Sequence, residues 1–507
     1  MKMTAHFTRL LAFIPILLLT ACGAIPQQDL ESKHASYVYG YQADSTLSNY
    51  LTPKEPKPDN QSGFFPLVLG HDALLARLAL IESAETSLDL QYYIYRNDET
   101  SQLLTWRLFE AAERGVRVRL LLDDMQKRDD KGLGYINAHP NIEVRLFNPH
   151  HYRSSRAVAF LSDFDRLNRR MHNKSLTADS VTSIVGGRNI GNEYFSFESS
   201  VEFGDFDVLL YGNTVQEIDT QFDMYWNSNF AIPMEWISQS DTHITQKEVN
   251  EWLESSQLDK KFSSGEYDFT ELKFYQEMQE RDITLYWGDA HLLYDDPSKI
   301  SGEGSSLVDN LSTLLREVET SLVLISPYFV PTETGTKELV DAAQSGKEVI
   351  IITNSLASND VFAVHGWYAK YRQDLVEGGV QLWEVKSSAN LESSWSMTGS
   401  SRSSLHAKAM LLDKDTLFVG SMNWDPRSAL LNTEMAVIIE QPEYVGQSYR
   451  ELDEKLKRNA YQVVIEDGDV AWRDHKTNTT LYTEPNASVW RRMGAWISGI
   501  LPIEDQL

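Results

Sequence analysis

His172-Asn173-Lys174-Ser175-Leu176-Thr177-Ala178-Asp179 and His406-Ala407-Lys408-Ala409-Met410-Leu411-Leu412-Asp413 are one pattern, H-x-K-x4-D, written twice at an offset of 234 residues. Seven residues after each aspartate comes a glycine that opens G-x-x-N, as Gly186-Gly187-Arg188-Asn189 and again as Gly420-Ser421-Met422-Asn423. Composition alone produces one H-x-K-x4-D in roughly a few per cent of chains this long, so a single copy carries little weight. An independent repeat changes that: Glu85-Thr86-Ser87-Leu88 returns as Glu319-Thr320-Ser321-Leu322, also 234 residues on. Unrelated patterns in one register mark a duplicated segment.

Outward from the repeats, helical spacing of apolar residues runs over 72–84 and 102–114, and again over 307–318 and 334–345. Between them lie strand-like runs over 88–95, 116–122, 322–330 and 349–353. Strands alternating with helices in both halves predict an α/β fold of two homologous domains. Each is a mixed β-sheet flanked by helices, and the two pack about a pseudo-twofold axis. The boundaries read as a first domain over 63–231, an acidic, helix-leaning connector over 232–301, a second domain over 302–460 and a C-terminal extension over 461–507. The Ser-rich stretch 386–404 reads as a mobile loop.

Residues two apart on an extended strand face the same side, so His172 with Lys174, and His406 with Lys408, project together. Across a pseudo-twofold axis the two pairs converge. That combination supplies a nucleophile, an acid/base and positive charge around nonbridging oxygens, which is what phosphodiester exchange requires. A nucleophilic imidazole also needs its second nitrogen held by an acceptor. Glu434, 28 residues after His406, is expected to serve His406, and aligning Asp205-Phe206-Asp207-Val208 with Glu434-Met435-Ala436-Val437 assigns Asp205 to His172. Lysines and asparagines provide the charge and hydrogen bonds that a divalent ion would otherwise bring, so no metal and no cofactor are expected. His365 is expected on a helix lining the second half.

The paired motifs resemble the signature of the phospholipase D superfamily, in which two H-x-K-x4-D copies build one active site between two similar domains. The resemblance spans about 63–460. Arg166-Leu167-Asn168-Arg169-Arg170-Met171-His172-Asn173-Lys174-Ser175, Gly186-Gly187-Arg188-Asn189-Ile190-Gly191, Leu90-Gln91-Tyr92-Tyr93-Ile94 and Leu501-Pro502-Ile503-Glu504 are similar to its cardiolipin synthase C-like branch. The resemblance implies two phospholipase D-type domains and a covalent phosphohistidine, with His172 the nucleophile and His406 the acid/base. It implies phosphate-binding roles for Lys174, Lys408, Asn189 and Asn423. It counts Asp179 and Asp413 among the catalytic-motif residues, though nearer to structural anchors than to reacting groups. Arg188 is read as either a phosphate contact or a surface arginine. Phosphatidyl transfer between membrane phospholipids such as phosphatidylglycerol and phosphatidylethanolamine, giving cardiolipin, is the implied reaction, with hydrolysis to phosphatidic acid as the alternative and a phosphodiesterase or nuclease, or a non-catalytic lipid-anchored scaffold, ranked behind both.

Residues 1–22 read as a signal peptide: Lys2 and Arg9, an apolar run from Leu10 to Leu19, then Leu19-Thr20-Ala21-Cys22, which resembles a lipobox. Cys22 is the chain's one cysteine, so its expected role is lipidation rather than a disulfide. A flexible tether is expected over 23–62. These features imply a lipid-anchored protein on the periplasmic side of a bacterial envelope, with Gly23 favouring the outer membrane. A formal charge of −27 argues against nucleic acid as a partner. At the other end, Trp490, Met493, Ile497 and Ile500 form a helical stripe beside Arg491 and Arg492, the pattern of a short interfacial helix.

Overall fold

The computed structural model describes residues 30–52, 60–128, 130–150, 162–196, 202–237, 245–256, 283–387 and 403–507, together with 153, 156, 160, 276, 277 and 280. The signal peptide, Cys22 and most of the Ser-rich loop lie outside the described residues.

Three parallel strands, Ser87–Tyr92, Arg117–Asp123 and Ile142–Phe147, form one side of the first-half sheet. Ser87–Tyr92 then pairs antiparallel with Ser175–Ala178, and the sheet continues through Thr182–Gly186, Asp207–Tyr211 and Ser62–Leu67. The second half repeats the order. Ser321–Ile325, Glu348–Asn354 and Gln381–Val385 are parallel, and Ser321–Ile325 leads through Ala409–Leu412 and Thr416–Gly420 to Met435–Glu440. Helices Gly70–Ser83 and Glu99–Glu113 correspond to Leu307–Glu317 and Thr332–Gln344. The duplicated α/β architecture read from the sequence is therefore the architecture observed.

The connector contains an element that its acidic composition hides. Tyr286–Tyr294 is a strand of nine residues, not helix. Its first three residues pair with Ser62–Phe64 and its last six with Met435–Glu440, so it joins the two halves into one 18-stranded sheet. Gly288, Ala290 and Leu292 face inward while Asp289 and His291 face solvent, an alternation of period two that fits a strand open on one side. One hydrophobic cluster unites residues of both halves, among them Phe64, Val208 and Ile218 with Ile325, Leu411 and Val437. The halves thus share a core and position the motifs rigidly.

The expected tether is corrected over residues 30–52, which pack on the first half. Leu47 and Leu51 enter its core. The amides of Ser36 and Val38 donate to Asn227 Oδ1 and Asp223 Oδ2 at 3.1 and 3.0 Å, and Arg119 and Arg145 donate to the carbonyls of Ser36 and His34 at 3.0 and 2.6 Å. Apolar residues at 47 and 51 and buried arginines needing acceptors draw this segment down. The C-terminal extension also joins the fold: Ala460–Glu466 pairs with Gln381–Val385, and Asp469–Asp474 follows it. Among the described residues no helix is long and apolar enough to cross a membrane.

Candidate active site

Each motif histidine lies in an extended segment immediately before a strand, His172 ahead of Ser175 and His406 ahead of Ala409. Each of these segments is stitched to the opposite half. Met171 bridges to Thr433, the His172 amide donates to the Thr433 carbonyl at 2.8 Å, and the Thr433 amide donates to Arg170 at 2.8 Å. Ser403–Leu405 pairs in parallel with Glu202–Gly204, and the amides of His406 and Ala407 donate to the Gly204 carbonyl at 2.7 and 3.0 Å.

This crossing reverses the expected histidine–acid pairing. His172 Nδ1 lies 2.8 and 3.0 Å from the two oxygens of Glu434, and His406 Nδ1 lies 2.6 Å from Asp205 Oδ2. Alignment within a half assigned Glu434 to His406 and Asp205 to His172. It failed because Glu434 adjoins Thr433 and Asp205 adjoins Gly204, the residues that make the inter-half backbone bonds. With Nδ1 engaged in both rings, Nε2 is the nitrogen left for chemistry.

All the site's charges are buried. Burial lowers the Lys174 and Lys408 ammonium groups to about 7 and about 8, against the pull of Glu434 and Asp205. Lys174 Nζ donates to the His172 carbonyl, and Lys408 Nζ donates to the His406 carbonyl at 2.5 Å and stands 3.2 Å from His406 Nε2. Burial pushes the His172 imidazole well down, and Lys174, Lys408 and His406 push it further. His406 is lowered by burial and Lys408, with Asp205 opposing. The acids diverge. Burial lifts Glu434 to about 7 despite Lys174. Burial would raise Asp205 too, but His406, the hydrogen bond to it, Lys408 and Arg188 hold it well below the usual carboxylate range.

Other sequence-derived candidates are placed differently. Asp179 accepts from the amides of Glu85, Thr86 and Ser87 at 2.8–2.9 Å and from Thr86 Oγ1 at 2.9 Å. Asp413 repeats this with Glu319, Thr320 and Ser321 at 2.6–3.0 Å. The repeated Glu-Thr-Ser is thus the cradle of the repeated motif aspartate. Five residues of extended chain separate each aspartate from its lysine, about 16 Å, so both belong to the scaffold rather than the reacting site. Asn189 accepts from the Ile94 amide at 3.0 Å and donates to Tyr194 Oη at 3.1 Å, which makes it a positioning residue. Asn423 is buried, and its Oδ1 has no hydrogen-bond partner among the described residues. Arg188 is neither exposed nor aimed at phosphate: it donates to the carbonyls of Leu67, Val68, Tyr194 and Asp205. His365 is buried beside Arg372 and Glu484 rather than at the motifs.

Three site residues escaped the sequence reading. Tyr93 meets the His172 ring edge-on at 4.9 Å and lies 5.5 Å from Lys174 Nζ, while its neighbour Tyr92 points away to Arg77. Strand alternation in Tyr92-Tyr93 was the available signal. Tyr194 meets His406 at 5.3 Å and had no signal. Ser421 Oγ donates to Glu434 Oε2 at 2.5 Å, and its signal was that serine stands where the first half has Gly187.

Comparison with known proteins agrees with this geometry. Residues 78–226 and 311–457 match the family described as cardiolipin synthase, PLD-like domain. The chain is 37% identical over 477 residues to cardiolipin synthase C of Escherichia coli, covering 90% of this chain and 99% of that one. An uncharacterized protein of Helicobacter pylori is 31% identical over 507 residues, covering 97% and 98%. The solved structure of Haemophilus influenzae phosphatidylserine synthase shares the fold with a TM-score of 0.55 at 13% identity, over 79% of this chain and 87% of that one. The chain belongs to the cardiolipin synthase family of phospholipase D-like proteins.

Proposed function

We propose, with membership of that family as the premise, that this enzyme transfers a phosphatidyl group between membrane phospholipids through a phosphohistidine, forming cardiolipin from phosphatidylglycerol and a second phospholipid. One observation carries the reading: two buried imidazoles are fixed at Nδ1 by carboxylates from opposite halves, with Lys174 and Lys408 beside them.

His172 is the nucleophile and His406 the acid/base, as the family resemblance implies; burial and the neighbouring lysines lower both imidazoles, and the ionised Asp205 opposes this at His406. His172 Nε2 attacks phosphorus, the bond to the headgroup oxygen breaks, and His406 gives that oxygen its proton. An incoming phosphatidylglycerol hydroxyl then returns a proton to His406 and attacks phosphorus, the P–N bond breaks, and both rings are restored. Lys174 and Lys408, beside the two imidazoles, stabilise the developing charge, and each such donor is worth about 3 kcal/mol; Asn423 is assigned to the same phosphate by the family resemblance. Dianionic character on phosphorus would raise both lysines from their depressed values. Acylation of Cys22 and retention on the periplasmic side of the envelope complete the proposal.

The test is a lipid assay on mature protein in mixed phosphatidylethanolamine and phosphatidylglycerol vesicles, against His172→Ala and His406→Ala. Cardiolipin from wild type alone supports the reading. Phosphatidic acid as the sole product replaces it with hydrolysis, and activity in the alanine variants equal to wild type overturns the paired-histidine mechanism.

A further inference from the structure

The helix Val489–Ile500 is turned inside out for a protein surface. Its small residues face the fold: Ala495, Ser498 and Gly499 are buried, and a Cβ on Gly366 of the helix Phe362–Tyr368 would meet the Ala495 carbonyl at 2.1 Å. Its large apolar residues face out. Trp490 is 77% exposed, Trp496 68% and Ile500 64%, with Val489, Met493 and Ile497 in the same stripe. Amphipathic helices of globular proteins ordinarily bury the large residues. Phe362, itself exposed, lies against Gly494 and continues the patch with Val361.

The patch is tied to the catalytic rim. Arg491 donates to the carbonyls of Leu356 and Asn359, gripping the turn that carries Asp360. Asp360 accepts from Tyr328 Oη at 2.8 and 2.9 Å and acts electrostatically on His406 and Lys408. The helix carries Arg491 and Arg492 and no acid, and Lys370 lies over the Trp367 ring nearby, in a chain whose net charge is −27.

We infer that Val489–Ile500, with Val361 and Phe362, is an interfacial membrane-docking face that inserts into an anionic bilayer and sets the catalytic rim at headgroup depth. Charge selects a bilayer over a second copy of the chain. A twofold self-contact would set the cationic ridge against itself, whereas anionic headgroups neutralise it. Tryptophans flanked by arginines also suit the boundary between headgroup and acyl chain.

The idea that docking serves catalysis rests on the phospholipid reading above, and the experiment separates the two. With Cys22→Ala removing the one native thiol, Ile500→Cys in the full chain takes an environment-sensitive NBD label. The label's emission is followed on adding vesicles of phosphatidylglycerol and phosphatidylethanolamine, beside a Trp490→Ser/Trp496→Ser variant whose changes touch no core contact. The face predicts a blue shift with vesicles and a vesicle affinity at least about ten-fold lower in the double variant, with turnover of monomeric short-chain phosphatidylglycerol retained. A label that stays in water on vesicles overturns docking even if cardiolipin forms. A label buried without vesicles, with a dimer in sedimentation, overturns it in favour of self-association. Insertion without phospholipid turnover leaves docking standing and removes the proposed reaction.

Discussion

The two histidine sites are copies of one motif, yet their acids are built differently. His406 has the short Asp205 beside Gly187, and a Cβ at Gly187 would fall 2.1 Å from Asp205 Oδ1. His172 has the longer Glu434, and the residue equivalent to Gly187 is Ser421, which donates to it. The first arrangement keeps its carboxylate ionised; the second leaves it near neutrality at about 7. Duplication supplied two equal imidazoles, and in the proposed mechanism the residues around them divide the labour. An ionised partner favours a ring that holds a proton, and on the attacking ring the Glu434 carboxylate, once ionised, stabilises the positive charge that develops.

The largest effects should come from breaking the comparison outright. His172→Ala and His406→Ala are each expected to lower turnover of natural phospholipid at least about 10⁴-fold, measured by lipid product formation. Asp205→Asn should cost about 10³-fold by the same assay, because His406 loses an ionised partner and the correct tautomer. Gly187→Ser should cost nearly as much, since the added side chain displaces Asp205 from His406, and an unimpaired variant would remove the steric half of the comparison.

Glu434→Gln sharpens it through pH. Below about 7 Glu434 is largely protonated and glutamine imitates it, so the variant should run close to wild type at pH 6 and fall behind by pH 8. The Asp205→Asn deficit should stay constant over that range, because Asp205 is ionised throughout it. Wild type itself should show a bell whose alkaline limb follows loss of the His406 proton and of charge on Lys174 and Lys408, whose values of about 7 and about 8 fall within the assay. A flat profile from about pH 5 to 9 would contradict this.

The smallest effects concern the anchors. Asp179→Ala removes a buried acceptor of four hydrogen bonds and should destabilise by about 2–4 kcal/mol in denaturant unfolding. The more exposed Asp413 should matter less. Burial would raise the Asp413 carboxyl, but three backbone amides overcome this and hold it below its ordinary value. Its contribution is therefore present above the unfolded carboxylate pKa and fades as pH falls through the folded one, so Asp413→Asn should converge with wild type in acid.

Those two aspartates also show what the sequence could reveal. The repeated Glu-Thr-Ser and the repeated motif aspartate were both visible in the chain, but that one cradles the other is a fact of strand pairing. Periodicity located the core elements because each buries an apolar face. It missed Tyr286–Tyr294, whose acidic neighbourhood masks a half-exposed strand, and the packing of residues 30–52, which two leucines, Leu47 and Leu51, and the acceptor needs of buried arginines dictate together. The histidines and lysines were legible as a recurring pattern. Their acids were named correctly but paired wrongly, since neither the short strands 202–204 and 403–405 that bring Asp205 to His406 nor the Met171–Thr433 bridge that brings Glu434 to His172 carries a periodic signal.

The division of labour is tested most directly with a short-chain phosphatidyl ester of p-nitrophenol, whose leaving group needs no proton. His406→Ala should release one equivalent of p-nitrophenolate in a burst and leave the phosphatidyl group on His172, located by peptide mass, while His172→Ala shows no burst. A burst from His172→Ala with the adduct on His406 would contradict the account.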